Sequence, residues 1–334
     1  MKKNSFSLLM LIMIINCSVS YLLLSAKNNG HKDESSPKIF GEGIISTEDD
    51  EFGETFTPDG KTCFFTKKSP STLSSNIVVI CYSRFKNGKW AEPEIAPFSG
   101  KYKDFNPCIS PDGSKLFFIS NRTDSTKKTT DTDIWMVKKS GDGWSEPENI
   151  GVPVNSPGYE LGCSVTNDGT LYFSSTRKNG NLDLYCSRLL NGKYQEPDSL
   201  GEAINTAYSE SDPFVAPDES YILFSSEGRP DAASGTGASA GYTRSDLYIS
   251  FHKDGKWTAA KNLGPLINTP AEESSPWISR DGKTFYFTSE RNFISLPMKT
   301  KLTYSFLEEH LHGTVNGLGD IYQLPLSVIM NNSK

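Results

Sequence analysis

Two histidines stand one residue apart in "EEHLH", as His310 and His312, with Glu308 and Glu309 beside them. Imidazole exchanges protons near neutral pH and is a common metal ligand. This stretch could therefore transfer protons or hold a divalent metal. On a strand the two rings would share a face; on a helix they would not. Tyr304 and Lys301 lie just upstream, and a second stretch, "PDAASGTGASAGYTRS" at 230–245, adds Tyr242 and Arg244. Arg229 and Arg291 precede the two stretches. Together these residues offer what elimination next to a uronate carboxylate requires: a cation to neutralise the carboxylate, a base for the adjacent carbon-bound proton, and an acid for the leaving oxygen. His310, His312, Tyr304 and Tyr242 are the candidate proton-transfer groups. Arg291, Arg229, Arg244 and Lys301 are the candidate substrate-binding cations. His310 and His312 are the candidate metal ligands. The plain alternative is a solvated polar loop.

The elements that must position these residues are written in a repeat. "ISPDGSKLFFISNR" at 109–122 returns as "ISRDGKTFYFTSER" at 278–291. The turn aspartate recurs at Asp59, Asp112, Asp168, Asp218 and Asp281, at spacings of 53, 56, 50 and 63 residues. Each turn leads to an apolar run ("CFFT", "LFFIS", "LYFSS", "YILFSS", "FYFTS") and, after a loop, to a second run such as "DIWMVKK" or "DLYISF". Four copies continue to a Gly turn with an aromatic ("NGKW", "GDGW", "NGKY", "DGKW"), and three of them to "VPVNS", "EAINT" or "PLINT". Short β-branched and aromatic runs between Gly, Asn and Asp read as strands joined by tight turns. Apart from the N-terminus and 302–312, no window sustains a helical period. Four strands per unit of about fifty residues spell an all-β, five-bladed β-propeller of four-stranded blades.

The last unit ends at "DIYQLPL" with three strands. "PKIFGEGIIST" at 37–47 matches "PENIGVPVNS", the outer strand and following loop. The chain's N-terminal strand, at about 37–41, should therefore complete the last blade and leave no open edge. The repeat "SPDG…LFFISNR…DIW" resembles the TolB-like, WD-like propeller repeat of exported bacterial proteins, over about 37–326. That resemblance implies the propeller fold and an envelope setting. It brings no catalytic residue with it, since one fold hosts many activities.

The expected organisation is a signal peptide or membrane anchor over 1–26, a polar tether over 27–36, the propeller over 37–326 and a C-terminal tail over 327–334. Lys2 and Lys3 precede an apolar run to about Ala26, the pattern of an export signal. Cleavage, lipidation of Cys17 and an uncleaved anchor all stand open, so the expected location is the periplasm or cell surface. A net charge of −6 gives no basic surface for nucleic acid. Cys63, Cys81, Cys108, Cys163 and Cys186 have no metal-ligand spacing and read as buried thiols, with a Cys63–Cys81 bridge the one pairing considered.

An acid stands eight residues before each turn aspartate (Glu51, Asp104, Glu160, Glu210, Glu273), and a base follows each second strand (Lys68, Arg122, Arg177, Arg229, Arg291). The later four bases are followed by Asp133, Asp183, Asp246 and Asp320, which open the third strands. Positions filled in every blade read as blade-to-blade fastenings, with the arginines facing these aspartates. Function is expected where blades differ: at the loop 230–245 and at 292–319, which should lie side by side over one channel mouth. Two functions follow. One is lyase-type β-elimination, by a lyase or dehydratase, on uronic-acid-containing oligosaccharides, with a divalent metal as the conceivable cofactor. The other is a non-catalytic envelope propeller that binds a glycan or protein partner. Glycoside hydrolysis by acids of the ring and a peptidase-associated role are weaker alternatives.

Overall fold

A computed structural model describes residues 35–69, 77–123, 131–178, 180–233, 244–292 and 300–332, and from Pro37 onward they form one unit. The inner strands of the five blades are Asp50–Phe56, Asp104–Ile109, Glu160–Val165, Glu210–Val215 and Glu273–Ile278. Each pairs antiparallel with the second strand of its blade, and that strand with the third. The outermost strands are only two residues long: Glu94–Ile95, Glu148–Asn149, Asp198–Ser199, Lys261–Asn262 and Lys38–Ile39. The last belongs to blade 5. Lys38 pairs with Gln323 and Ile39 with Tyr322, so the N-terminal strand closes the ring as the sequence implied.

The Asp-Gly turns are built by their own side chains. Asp112 Oδ1 accepts from the Ser110 hydroxyl and from the Ser114 N–H, and Gly113 sits at φ 72°. Those hydrogen bonds to the carboxylate hold its pKa down, at about 2. The aromatic after each Gly turn packs on the preceding blade: Trp144 against Phe64, Trp257 against Tyr172, and Trp90 against Phe40 of the closing strand. The apolar faces of adjacent sheets thus bury each other, which no single blade could do.

The segments "VNS", "INT" and "INT" are latches between blades. Asn155 Oδ1 accepts from the Ile134 N–H at 3.0 Å and its Nδ2 donates to the Ile134 carbonyl at 3.0 Å. Asn205 grips Leu184 and Asn268 grips Leu247 in the same way. The next residue caps the acid of the following inner strand: Ser156 on Glu160, Thr206 on Glu210, Thr269 on Glu273 and Thr47 on Glu51. At the closing junction Ser46 replaces the Asn and exchanges hydrogen bonds with Ile321.

The repeated acids are fully buried. Arg122, Arg229, Arg177 and Arg291 reach Asp104, Glu210, Glu160 and Glu273 at 2.9, 2.9, 3.5 and 3.6 Å. This corrects the expected pairing: the arginines face the inner-strand acids rather than the aspartates that open the third strands. In blade 1 Lys67, not Lys68, takes Glu51 at 2.7 Å, while Lys68 takes Asp50 at 2.7 Å. Arg177, Arg229 and Arg291 also donate to the carbonyl just before a latch asparagine and lie over two rings of their own blade, as Arg229 does over Phe224 and Tyr248. Arg122 donates to the Phe98 carbonyl, before Ser99, whose hydroxyl accepts from the Ile80 N–H.

The helical period read at 302–312 is realised, and a second helix follows the last strand. Residues 304–311 form a helix, α1 (Tyr304–Leu311), capped by Thr303, whose hydroxyl accepts from the Phe306 N–H. The residues after the last strand also form a helix, α2 (Leu326–Asn332), which inserts Ile329 into the core of blades 4 and 5. All five described cysteines outside the N-terminal segment are free, and Cys63 lies opposite Ser83 rather than Cys81, so the considered bridge does not form. Cys17 and the apolar N-terminal run lie outside the described residues. Among the described residues no helix is long and apolar enough to cross a membrane.

Candidate functional site

Every inner strand breaks register near its middle, with a residue at positive φ in four of the five: Gly53, Asn106, Asp212 and Ser275. Such bulges re-aim side chains. Together with Gly162 these residues meet at a waist in the central channel. Asn106 Nδ2 donates to Asp212 Oδ1 at 3.0 Å, linking blades 2 and 4. A Cβ on Gly53 would come within 2.6 Å of Asn106 Oδ1, and one on Gly162 within 2.7 Å of Asp212 Oδ1. Only glycine lets the strands close this tightly.

Above the waist the channel opens into a bowl of about 290 Å³ on the face where the inner strands begin. Its wall has two halves. Phe52, Phe105, Leu161 and Leu182, from blades 1 to 3, are apolar. Asp212, Glu227, Glu272 and Glu290, from blades 4 and 5, are acidic, and Asp50 with Lys68 completes the rim. Lys68 is held by Asp50, and among the described residues Glu272 and Glu290 make no direct ion pair. Burial, and then the charges of Glu290, Asp212 and Glu227, push the Glu272 carboxyl up to about 7. Burial raises Asp212 to about 6, against hydrogen bonds from Ser225, Ser275 and Asn106. Glu290 is raised by burial and by Asp50, with Arg244 and Lys68 opposing. A raised carboxyl is not peculiar to the bowl, since Glu273, fastened within its blade, is also pushed up to about 7; Glu272 and Glu290 differ in lining a concave wall.

The residues expected to do chemistry are placed differently. Arg229 and Arg291 donate to the Ile204 and Ile267 carbonyls and to the Ser226 and Ser289 hydroxyls, so their guanidinium groups fasten blades. Tyr304 is 76% exposed, and Lys301 is exposed on the approach to α1. His310 lies in α1, its Nδ1 bonded to the Phe306 carbonyl at 2.8 Å and its ring stacked on Phe306. His312 is the C-cap and meets Glu48 at 3.5 Å. The helix therefore separates the two rings, and among the described residues no three His, Cys, Asp or Glu side chains form a metal-binding group. Tyr242 lies outside the described residues. Arg244 alone of the expected cations acts on the bowl: it is exposed, and its charge lowers Glu272 and Glu290.

The bowl's acids carry a sequence signal of their own. The residue before each inner-strand acid is Asp50, Lys103, Tyr159, Ser209 and Glu272 in turn. Blades 2 and 3 join this position to the end of the second strand through a backbone N–H, as Lys103 does to Asn121 and Tyr159 to Thr176. Blade 5 has a glutamate at both places, Glu272 and Glu290. The Glu290 N–H still donates to the Glu272 carbonyl at 2.9 Å, but two like-charged side chains held so close cost stability.

No family model and no curated protein matches the sequence. Solved structures are similar at low identity. A TolB-like protein from Agrobacterium tumefaciens is 16% identical, covering 83% of this chain and 90% of its own, with a TM-score of 0.47. An α-L-arabinofuranosidase from Podospora anserina is 12% identical, covering 87% and 93%, with a TM-score of 0.44. A puromycin-hydrolysing peptidase from Mycobacterium tuberculosis is 12% identical with a TM-score of 0.41, and the match covers 81% of this chain but 41% of the peptidase. By its blades and its closure, the chain is a five-bladed β-propeller.

Proposed function

We propose that the protein is an exported, non-catalytic binding propeller of the cell envelope that takes its ligand at the acid-lined mouth of the central channel. One observation carries this reading: the side chains with perturbed chemistry and no structural employment, Glu272 and Glu290, converge on the bowl. The histidines, Tyr304 and Lys301 stand apart on an exposed element with no buried residue. An acid-rich concave surface draws positive groups and repels anionic ones. The reading is tested with an array of oligosaccharides and peptides of both charge signs, offered to the wild type and to Glu272→Gln/Glu290→Gln. Retention of a ligand by the wild type and its loss in the variant supports the reading. Retention by both contradicts it.

A second reading keeps the uronate elimination, because Arg244 stands close enough to Glu272 and Glu290 to shift both. Arg244 would neutralise the substrate carboxylate, and Glu272, poised near 7, would take the adjacent proton as the double bond forms and return it to the leaving oxygen as the C–O bond breaks. This reading requires release of an unsaturated uronate from an acidic oligosaccharide, and loss of that activity in Arg244→Ala.

A further inference from the structure

We propose that the group the bowl receives is a primary ammonium on an alkyl stem, as a polyamine or a lysine side chain of a protein partner would present it. The inference rests on the mouth reading above and names its ligand class. Three features of the bowl point to it. Glu272 and Glu290, in no direct ion pair among the described residues although Arg244 lies near enough to lower both, are on one side. The apolar side chains Phe52, Phe105, Leu161 and Leu182 lie on the other, where methylene groups can pack while the charged end reaches the acids.

The third feature is independent of charge. Thr288 lines the same bowl, is 3% exposed, and its Oγ1 has no hydrogen-bond partner. The equivalent hydroxyls of blades 1 and 4 are occupied: Thr66 accepts from the Asn106 N–H, and Ser225 donates to Asp212. Ser174 of blade 3 is also without a partner, but it does not line the bowl. Asn106 Oδ1, at the waist, is a second buried acceptor without a donor. Unmade hydrogen bonds of buried groups cost roughly 1–3 kcal/mol each. A ligand that brings N–H donors removes that cost.

The choice among cations follows from coordination. A hard divalent ion needs a close cage of six or more oxygens, and no such cluster of acids exists among the described residues. A guanidinium is a planar fork best matched by one carboxylate in two-point contact. A compact ammonium has three rotatable donors, which suits acceptors spread over a concave wall. Glu272 faces Glu290, Asp212, Glu227 and Arg244, and Glu290 faces Asp50, Arg244 and Lys68. A bound cation favours the ionised carboxylates, so binding at neutral pH should release protons and weaken as the pH falls below 6.

The test is calorimetric titration of the full chain with spermidine, with an acetylated trilysine amide, with the neutral side-chain-acetylated form of each, and with Ca²⁺. Each is run at pH 7.5 and pH 5.5 in two buffers of different ionisation enthalpy. The expected result is one site for at least one amine, proton release at pH 7.5, and no binding of the acetylated forms. Glu272→Gln and Thr288→Val should each weaken that site by about tenfold, a change of about 1.4 kcal/mol. Spermidine alone binding names a free polyamine as the source; the lysine peptide alone names a protein. The uncharged Thr288→Val change separates a built site from diffuse attraction. Amine binding unchanged in both variants overturns the inference, as does Ca²⁺ binding in place of the amines. Either failure leaves the mouth reading intact if an array ligand is still lost in Glu272→Gln/Glu290→Gln.

Discussion

Arg122 reaches Asp104 at 2.9 Å, with 7% of the arginine and none of the aspartate exposed. A pair so buried contributes little beyond a hydrophobic substitute, but breaking it strands a charge. Arg122→Ala should therefore cost about 3–5 kcal/mol in urea unfolding and leave ligand affinity unchanged. A stable variant that has lost its ligand would move Arg122 into the site. Glu54 behaves in another way. It occupies the position held by Pro107, Pro213 and Pro276 in other blades, and both its carboxylate oxygens lack partners. Burial holds it neutral up to about pH 8, whereas the unfolded chain releases the proton near 4.5. Between these values the folded state keeps the extra proton, so stability should fall as pH rises from 5 to 8 and level off above. Glu54→Gln should flatten that part of the stability curve, and an unchanged slope would show that another group sets it. Residue types that recur in every blade were legible in the sequence, including their fastening role. Their partners were not, because each arginine's own blade offers an acid on either side of its strand, as Asp104 and Asp133 both pair with Ser120 beside Arg122, and residue order does not say to which side the side chain turns.

The closing strand makes only two residue pairs with its blade, yet it seats Phe40 among Phe56, Trp90 and Tyr286, with ring centroids 5.5, 5.5 and 5.2 Å away. Its contribution is packing more than pairing. Phe40→Ala should cost about 3–5 kcal/mol, and removing residues through Gly41 should destabilise the whole ring. Equal melting of the truncated and intact chains would refute the closure. α1 stands at the other extreme, with no buried residue. Replacing 300–312 by a short turn should change stability by less than about 1 kcal/mol, since shortening a loop has a small effect. Turn signals made the five repeats and the closing strand readable. The helical period at 302–312 was visible too, but its consequence was misjudged. A helix carries its two histidines to different faces, and so the metal and proton-transfer roles drawn from their spacing lose their geometry.

The bowl exists only once the ring is closed, for it joins Asp50 to Glu290 across the seam and Asp212 to Asn106 across the channel. No local pattern announces it. The signal lies in the flanking positions where blades 4 and 5 depart from the others, and it becomes readable only when the blades are compared position by position. These departures are destabilising. Glu272 is driven up to about 7 by burial and by neighbouring carboxylates, so its ionised form weakens the fold as pH rises through that range. Glu272→Gln should therefore raise the melting temperature at pH 8, leave it nearly unchanged at pH 4, and weaken binding about tenfold. Gain of stability with loss of function is what a site maintained against folding would give. The most direct measurement compares equilibrium binding of one array-selected ligand to three proteins: the wild type, Glu272→Gln/Glu290→Gln, and the variant in which a turn replaces 300–312. Binding lost only in the glutamine variant is the result expected of a channel-mouth site. Binding kept there and lost on removal of α1 would contradict it and return function to the fifth-blade insertion.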